Sequence, residues 1–157
     1  MNQREDHAVL ARAQELCAQS GMKLTAKRAQ VLEGLVRSKK ALSAYALTDY
    51  CRQELGYELL PMSVYRILEF LEENNLIHRL NTTNKYIACS HIICEHSHQA
   101  PQFLICKSCS KVEEVSIPKT VVASVGKAAG EAGFRLASKQ LEIECYCSDC
   151  PTQEQSR

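Results

Sequence analysis

Between Cys89 and Cys109 the sequence reads C-S-H-I-I-C-E-H-S-H-Q-A-P-Q-F-L-I-C-K-S-C, placing four cysteines and three histidines within 21 residues. Thiolate and imidazole are the ligands zinc prefers, and few other chemistries need so many of both so close together. A second Cys-x-x-C, Cys147 to Cys150, follows near the end of the chain. Each such turn points two sulfurs at one spot, so Cys106, Cys109, Cys147 and Cys150 together close a tetrahedral four-thiolate site. A closed shell leaves no position for a substrate, which makes the site structural. The 37 residues between the two turns accommodate a strand–helix–strand unit, whose ends the zinc would staple. One Cys-x-x-C alone would also suit a redox dithiol; the pair favours zinc.

A second site needs donors outside that quartet. His78, Cys89, His91, Cys94, His96 and His98 are candidates, and Glu114 adds a carboxylate five residues beyond Cys109. A mixed N/S/O site there ties two modules together and makes their relation depend on free metal. Cys17, Cys51 and Cys145 read as buried core residues instead.

The elements that must position these groups are legible from periodicity. Apolar residues at helical spacing run from about Asp6 to Gln19. A second helix follows a Thr25 cap, and a third runs from a Ser43 cap to Gly56. A fourth starts at Pro61, which suits a first turn. Its buried stripe is Val64, Ile67, Leu68 and Leu71, leaving Tyr65 and Arg66 on other faces. Ile77–Leu80 and Lys85–Ala88 flank an Asn/Thr turn and read as a hairpin. Helices followed by a hairpin give a winged helix-turn-helix, with Met62 to Asn74 as recognition helix. An arginine and a tyrosine there can reach base edges and phosphates, or else pack and pair on the protein itself.

Beyond the metal stretch, strands are expected at Gln102–Ile105, Lys111–Ile117, Phe134–Leu136 and Leu141–Cys145. A helix from Pro118 to Ala132 should turn Val121, Val122, Val125 and Ala129 inward. The fold class is α+β, organised as a winged-helix domain over residues 1–88, a metal-binding hinge over 89–101, an α/β domain stapled by zinc over 102–150 and a disordered tail over 151–157.

Composition is ordinary for a soluble globular chain, 45% hydrophobic and 24% charged, with a net charge of +1. No apolar run spans a bilayer and no signal peptide opens the chain, so a cytoplasmic protein with no membrane partner is expected. Nine cysteines in a reducing compartment indicate metal sites before disulfides. Charge is uneven: Lys23, Lys27, Arg28, Arg37, Lys39 and Lys40 face only Glu33 between Met22 and Lys40. That excess suits either a phosphate-facing patch or a solvated helix face.

Four stretches, Leu24-Thr25-Ala26-Lys27-Arg28, Ser43-Ala44-Tyr45, Ser63 to Leu71 (S-V-Y-R-I-L-E-F-L) and Ile105-Cys106-Lys107-Ser108-Cys109, resemble the ferric uptake regulator family, most closely its zinc uptake regulator branch. The similarity runs from about Leu24 to Cys150. It implies a homodimeric, metal-activated repressor that binds an A·T-rich palindromic operator of zinc uptake genes, with two Zn2+ per chain and no small-molecule substrate. By motif position Cys106, Cys109, Cys147 and Cys150 match the structural ligands, and the α/β domain matches the family's dimerisation domain. His78, Cys89, His98 and Glu114 match the sensing ligands, with His96 as alternate to His98 and Cys94 as a further donor. Tyr45 and Arg66 match base-contacting residues, and Tyr65 with the Lys27–Arg28 pair matches backbone contacts. Alanine stands at position 26 where the family usually has proline. A thiolate at Cys89 favours zinc over the histidine and carboxylate set of the iron and peroxide branches.

Iron, manganese or peroxide sensing in the same family, or a zinc-stapled thiol-redox protein, are the alternatives. An enzyme is not expected: the H-x-E with P-C-x-x-C signature of nucleobase deaminases is absent, as are a nucleophile elbow and a phosphate loop.

Overall fold

A computed structural model describes residues 3–93 and 101–150 of the chain. Cys94, His96, His98 and the tail over 151–157 lie outside the described residues. The chain divides into two units, Met1–His96 and Ser97–Arg157.

The first unit holds α1 (Gln3–Gln19), α2 (Ala26–Ser38), α3 (Ala44–Leu55), α4 (Pro61–Glu73), β1 (Ile77–Leu80) and β2 (Lys85–Ala88). Local chemistry sets the helix ends. The Thr25 hydroxyl accepts from the Arg28 amide at 3.4 Å and the Ser43 hydroxyl from the Ala46 amide at 3.2 Å, so each satisfies an amide its helix leaves open. The Thr25 cap is kept although Ala26 replaces the usual proline. Gly56 ends α3 at φ 70°, a conformation that favours glycine. Pro61 opens α4 without a side-chain cap.

These helices bury one face each. Val31, Leu32, Leu35, Leu47, Val64, Leu68, Leu71 and Leu76 are all within 1% of complete burial, each contributing about 1.5–3 kcal/mol by leaving water. Cys17 and Cys51 belong to this core, as expected. α2 and α3 meet at Gly34, where a Cβ would stand 2.5 Å from Cys51 Sγ and 2.9 Å from Leu47 Cδ1. The β1–β2 hairpin is antiparallel, from Ile77↔Ala88 to Leu80↔Lys85. Tyr86 exchanges two backbone hydrogen bonds with Leu42, at 2.8 and 2.9 Å, which sews the hairpin to the α2–α3 connection. Cys89 extends the hairpin by donating its amide to Leu76 O at 3.0 Å, and Ile92 enters the same core.

The second unit is a three-stranded sheet in the order β4-β3-β5 with one helix: β3 (Gln102–Cys106), β4 (Val112–Val115), α5 (Lys119–Glu131) and β5 (Leu141–Cys145). β3 is central, antiparallel to β4 and parallel to β5. Gln102 is buried on it. Its amide nitrogen donates to Lys139 O at 3.0 Å and its oxygen accepts from the Leu141 amide at 2.8 Å, fixing where β5 begins.

Three expectations fail here. Phe134–Leu136 is no strand: Gly133 turns at φ 82°, the Phe134 amide closes back on Ala129 O, and the ring is 74% exposed. α5 has no fully buried residue: Val122 and Ala129 are half-buried and Val121 and Val125 stand exposed, since no described residue of the second unit encloses that stripe. Cys145 is half-buried rather than enclosed.

Candidate functional site

The sheet itself assembles the sulfur cluster. Parallel pairing in the register Cys106↔Cys145 makes β3 and β5 end side by side, so both Cys-x-x-C turns leave the same edge. The first turn closes through Ser110 N–H to Cys106 O at 3.0 Å and Cys106 N–H to Lys111 O at 2.8 Å, with Ser110 left-handed at φ 61°. Lys107 N–H donates to Cys145 O at 2.9 Å, and Cys147 N–H donates to Cys106 Sγ at 3.3 Å, locking the turns together.

The resulting Sγ–Sγ separations are 3.8 Å for Cys106–Cys150, 3.6 Å for Cys109–Cys147 and 3.5 Å for Cys147–Cys150. Four sulfurs at about 2.3 Å from a central zinc stand about 3.8 Å apart, so the cage fits that ion. None of these four cysteines is in a disulfide. Amides of Cys109 and Cys147 pull the Cys106 thiol down to about 6, while hydrogen bonds with Cys147 and Cys109 push Cys150 up to about 12. Four such neighbours cannot all be thiolates by themselves, and a divalent cation among them removes the conflict. Lys111 Nζ meets Asp149 Oδ2 at 2.7 Å across the two turns; the pair holds the lysine charged and lowers the carboxyl. Both partners are solvated, so this clip is weak.

A second donor pair lies on the hairpin of the first unit. Register places His78 opposite Ile87 and Cys89 beyond Ala88, so the two are diagonal neighbours on one face. A ring nitrogen of His78 and Cys89 Sγ lie within 4.8 Å of one another. Cys89 is buried, and the His91 amide donates to its sulfur at 3.4 Å. Glu114 stands half-buried on β4 of the second unit, in register with Phe103.

Tyr45, Tyr65 and Arg66, expected to contact DNA, lie on α3 and α4. Tyr45, in the first turn of α3, is 65% exposed, and its ring meets that of Tyr65 edge-on, with centroids 6.4 Å apart. Arg66 follows on the exposed side of α4 and makes no ion pair among the described residues. The basic excess along α2 is not one patch. Lys23 and Lys27 stand at its N-terminal end and Lys39 and Lys40 past its other end, about 20 Å away by helix rise. Between them, Arg37 Nε pairs with Glu33 at 3.0 Å, and Tyr57 also donates to Glu33, at 2.7 Å. Arg28 lays its guanidinium over the Phe70 ring, 3.6 Å from the centroid. Sequence reasoning gave no sign of that contact or of the Gln102 clamp. The available signal for Arg28 was its placement, since a cation in a first turn opposes the helix dipole unless something engages it.

A winged helix followed by a knuckle-closed sheet fits one family model, described as the ferric uptake regulator family, over residues 19–144. The chain belongs to that family. It is 34% identical to the "Zinc uptake regulation protein" of Escherichia coli (strain K12) over 149 residues, covering 95% of this chain and 85% of the relative. Identity to the "Ferric uptake regulation protein" of Helicobacter pylori (strain ATCC 700392 / 26695) is 27% over 147 residues, covering 94% of each. Among solved structures, one titled "Zinc Uptake Regulator Complexed With Zinc AND DNA" matches with a TM-score of 0.76 and 30% identity, over 92% of this chain and 94% of that one.

Proposed function

We propose that the protein is a zinc-responsive, DNA-binding repressor of zinc uptake genes that works as a metal-bound homodimer in the cytoplasm and catalyses no reaction. The observation that carries this is a division of donors: a closed four-sulfur cage on one unit and an incomplete His78–Cys89 pair on the wing of the other. A closed cage holds an ion permanently, whereas a pair that needs further ligands fills only when free metal is abundant. The identity to a zinc uptake regulation protein and the likeness to a zinc- and DNA-bound regulator support the same reading.

Bound zinc would supply cross-links between the donors of each site. In this reading Cys106, Cys109, Cys147 and Cys150 hold the structural ion. His78 and Cys89, with Glu114 and His98, or His96 in its place, hold the sensing ion. The exposed Val121 and Val125 stripe of α5 suits burial against a second copy. Arg66 and Tyr45 read bases of an A·T-rich palindrome, while Tyr65 and Lys27 steady the backbone. Membership of a regulator family supports a role without catalysis.

The test is a titration of buffered free zinc against an A·T-rich palindromic duplex, read by fluorescence anisotropy with elemental analysis of the protein. Binding should switch on as a second zinc per chain is filled, and Cys89→Ser should remove that switch while leaving the first zinc in place. Arg66→Ala should weaken specific binding by about 1–3 kcal/mol. Activation by Fe(II) or Mn(II) alone would assign the protein to a sister branch, and one zinc per chain with no DNA binding would refute the reading.

A further inference from the structure

Arg28 occupies the third position of α2, where partial positive charge from open amides makes a cation unwelcome, and no acidic residue sits in that turn to offset it. Its side chain does not extend into solvent. One Nη donates to Lys23 O at 2.7 Å, and the guanidinium carbon lies over the Phe70 ring, 3.6 Å from its centre. Phe70 is only 7% exposed and lies on α4 one helical turn beyond Arg66. The Arg28 backbone amide is itself the group capped by Thr25. Arg28 also comes close enough to the buried Cys17 of α1 to oppose the rise that burial imposes on that thiol. The residue therefore sits where α1, α2 and α4 meet, engaged on both sides.

We propose that Arg28 is a positioning residue for DNA recognition: held between the Lys23 carbonyl and the Phe70 ring, it sets how α4 presents Tyr65 and Arg66. This rests on the DNA-binding reading above, and it assigns Arg28 a different part from the phosphate contact that the family resemblance implies. The role requires arginine. A planar, weakly hydrated guanidinium can stack on a ring and still donate in its own plane, whereas an ammonium keeps its hydration and has no face to stack. A phosphate contact, by contrast, asks only for charge, which lysine supplies.

The two roles separate through salt dependence. The zinc-loaded full-length protein is used to enrich duplexes from a randomised pool, and the enriched duplex and a scrambled one become probes for anisotropy titrations across salt concentration. Arg28→Lys should bind the enriched duplex about tenfold more weakly, bind the scrambled one unchanged, and keep the wild-type salt slope. Phe70→Leu should reproduce this, and the double variant should lose nothing further. Amide hydrogen exchange should quicken in α4 and the first turn of α2 while α3 stays protected. If Arg28→Lys binds like wild type while Arg28→Gln lowers the slope by about one per lost contact, Arg28 touches phosphate and the inference falls. Equal losses on both duplexes, or loosened protection throughout α1–α4, overturn it too, since they mark a merely structural residue. Should the wild-type protein enrich no duplex at all, the DNA-binding reading fails and this inference fails with it.

Discussion

The two units solve the same stability problem with different means. The first closes a core from four helices and a hairpin, in which Val31, Leu32, Leu47, Val64, Leu68 and Leu71 are fully enclosed. In the second, the buried residues among those described are Gln102, Phe103, Ile105 and Cys106, and α5 buries none. With so few buried side chains, a unit of that size is marginal against its chain entropy on burial alone. In the proposed reading, coordination would make up the difference by binding only the folded arrangement of sulfurs. The first unit is held by packing and the second by bonds at one edge.

The sharpest way to break that contrast is to remove a sulfur. Cys106→Ser should abolish cooperative folding of the second unit while α1–α4 keep their amide protection, and a chelator should do the same to the wild type. A Cys106→Ser protein with a native-like β3–β5 sheet would show that packing suffices there. The next largest effect belongs to the first unit. Gly34→Ala should cost about 2–3 kcal/mol in denaturant unfolding, because its methyl meets Cys51 Sγ inside van der Waals contact. Adding Cys51→Ala should return part of that loss, the Leu47 contact remaining; if it returns none, the contact with Cys51 is not the cause. Gln102→Met keeps volume but strands the Lys139 carbonyl and the Leu141 amide, and should lower stability by about 1–3 kcal/mol. If metal holds the second unit as proposed, the loss should appear as weaker zinc retention against a competing chelator. Smallest is Lys111→Ala, which removes a solvated ion pair across the two turns and should leave zinc retention within error. A clear loss there would mean that the turns need the clip as well as the metal.

Much of this could be read in advance, wherever the cause was local. Thr25, Ser43 and Gly56 mark helix ends because capping depends on a few adjacent residues, and the two Cys-x-x-C turns declare their geometry by spacing. What stayed illegible depended on partners far along the chain. The stacking of Arg28 on Phe70, the Gln102 clamp on Lys139 and Leu141, and the contact of Gly34 with Cys51 have no sequence pattern of their own. Phe134–Leu136 and the α5 stripe depart from expectation for a related reason: alternation and helical spacing report which residues are apolar, not whether a strand pairs or a face is enclosed within one chain. Val121, Val125 and Phe134 remain exposed here, as a face does when its cover comes from another molecule. The paired donors His78 and Cys89 were visible as types, but only the hairpin register shows why they face the same way.

Cys89 is a ligand candidate without slack. Its amide is bonded to Leu76 across the hairpin, and two residues before it Ile87 follows Tyr86, whose own backbone is bonded to Leu42 between α2 and α3. A loop cysteine could follow an ion by bending its own backbone. Here a bond made at the sulfur instead loads a chain of hydrogen bonds that ends at the residue before Ser43, the cap of the helix carrying Tyr45. Any displacement of the ligand is thus geared directly to α3, so a shift of a fraction of an ångström at the metal has a mechanical destination.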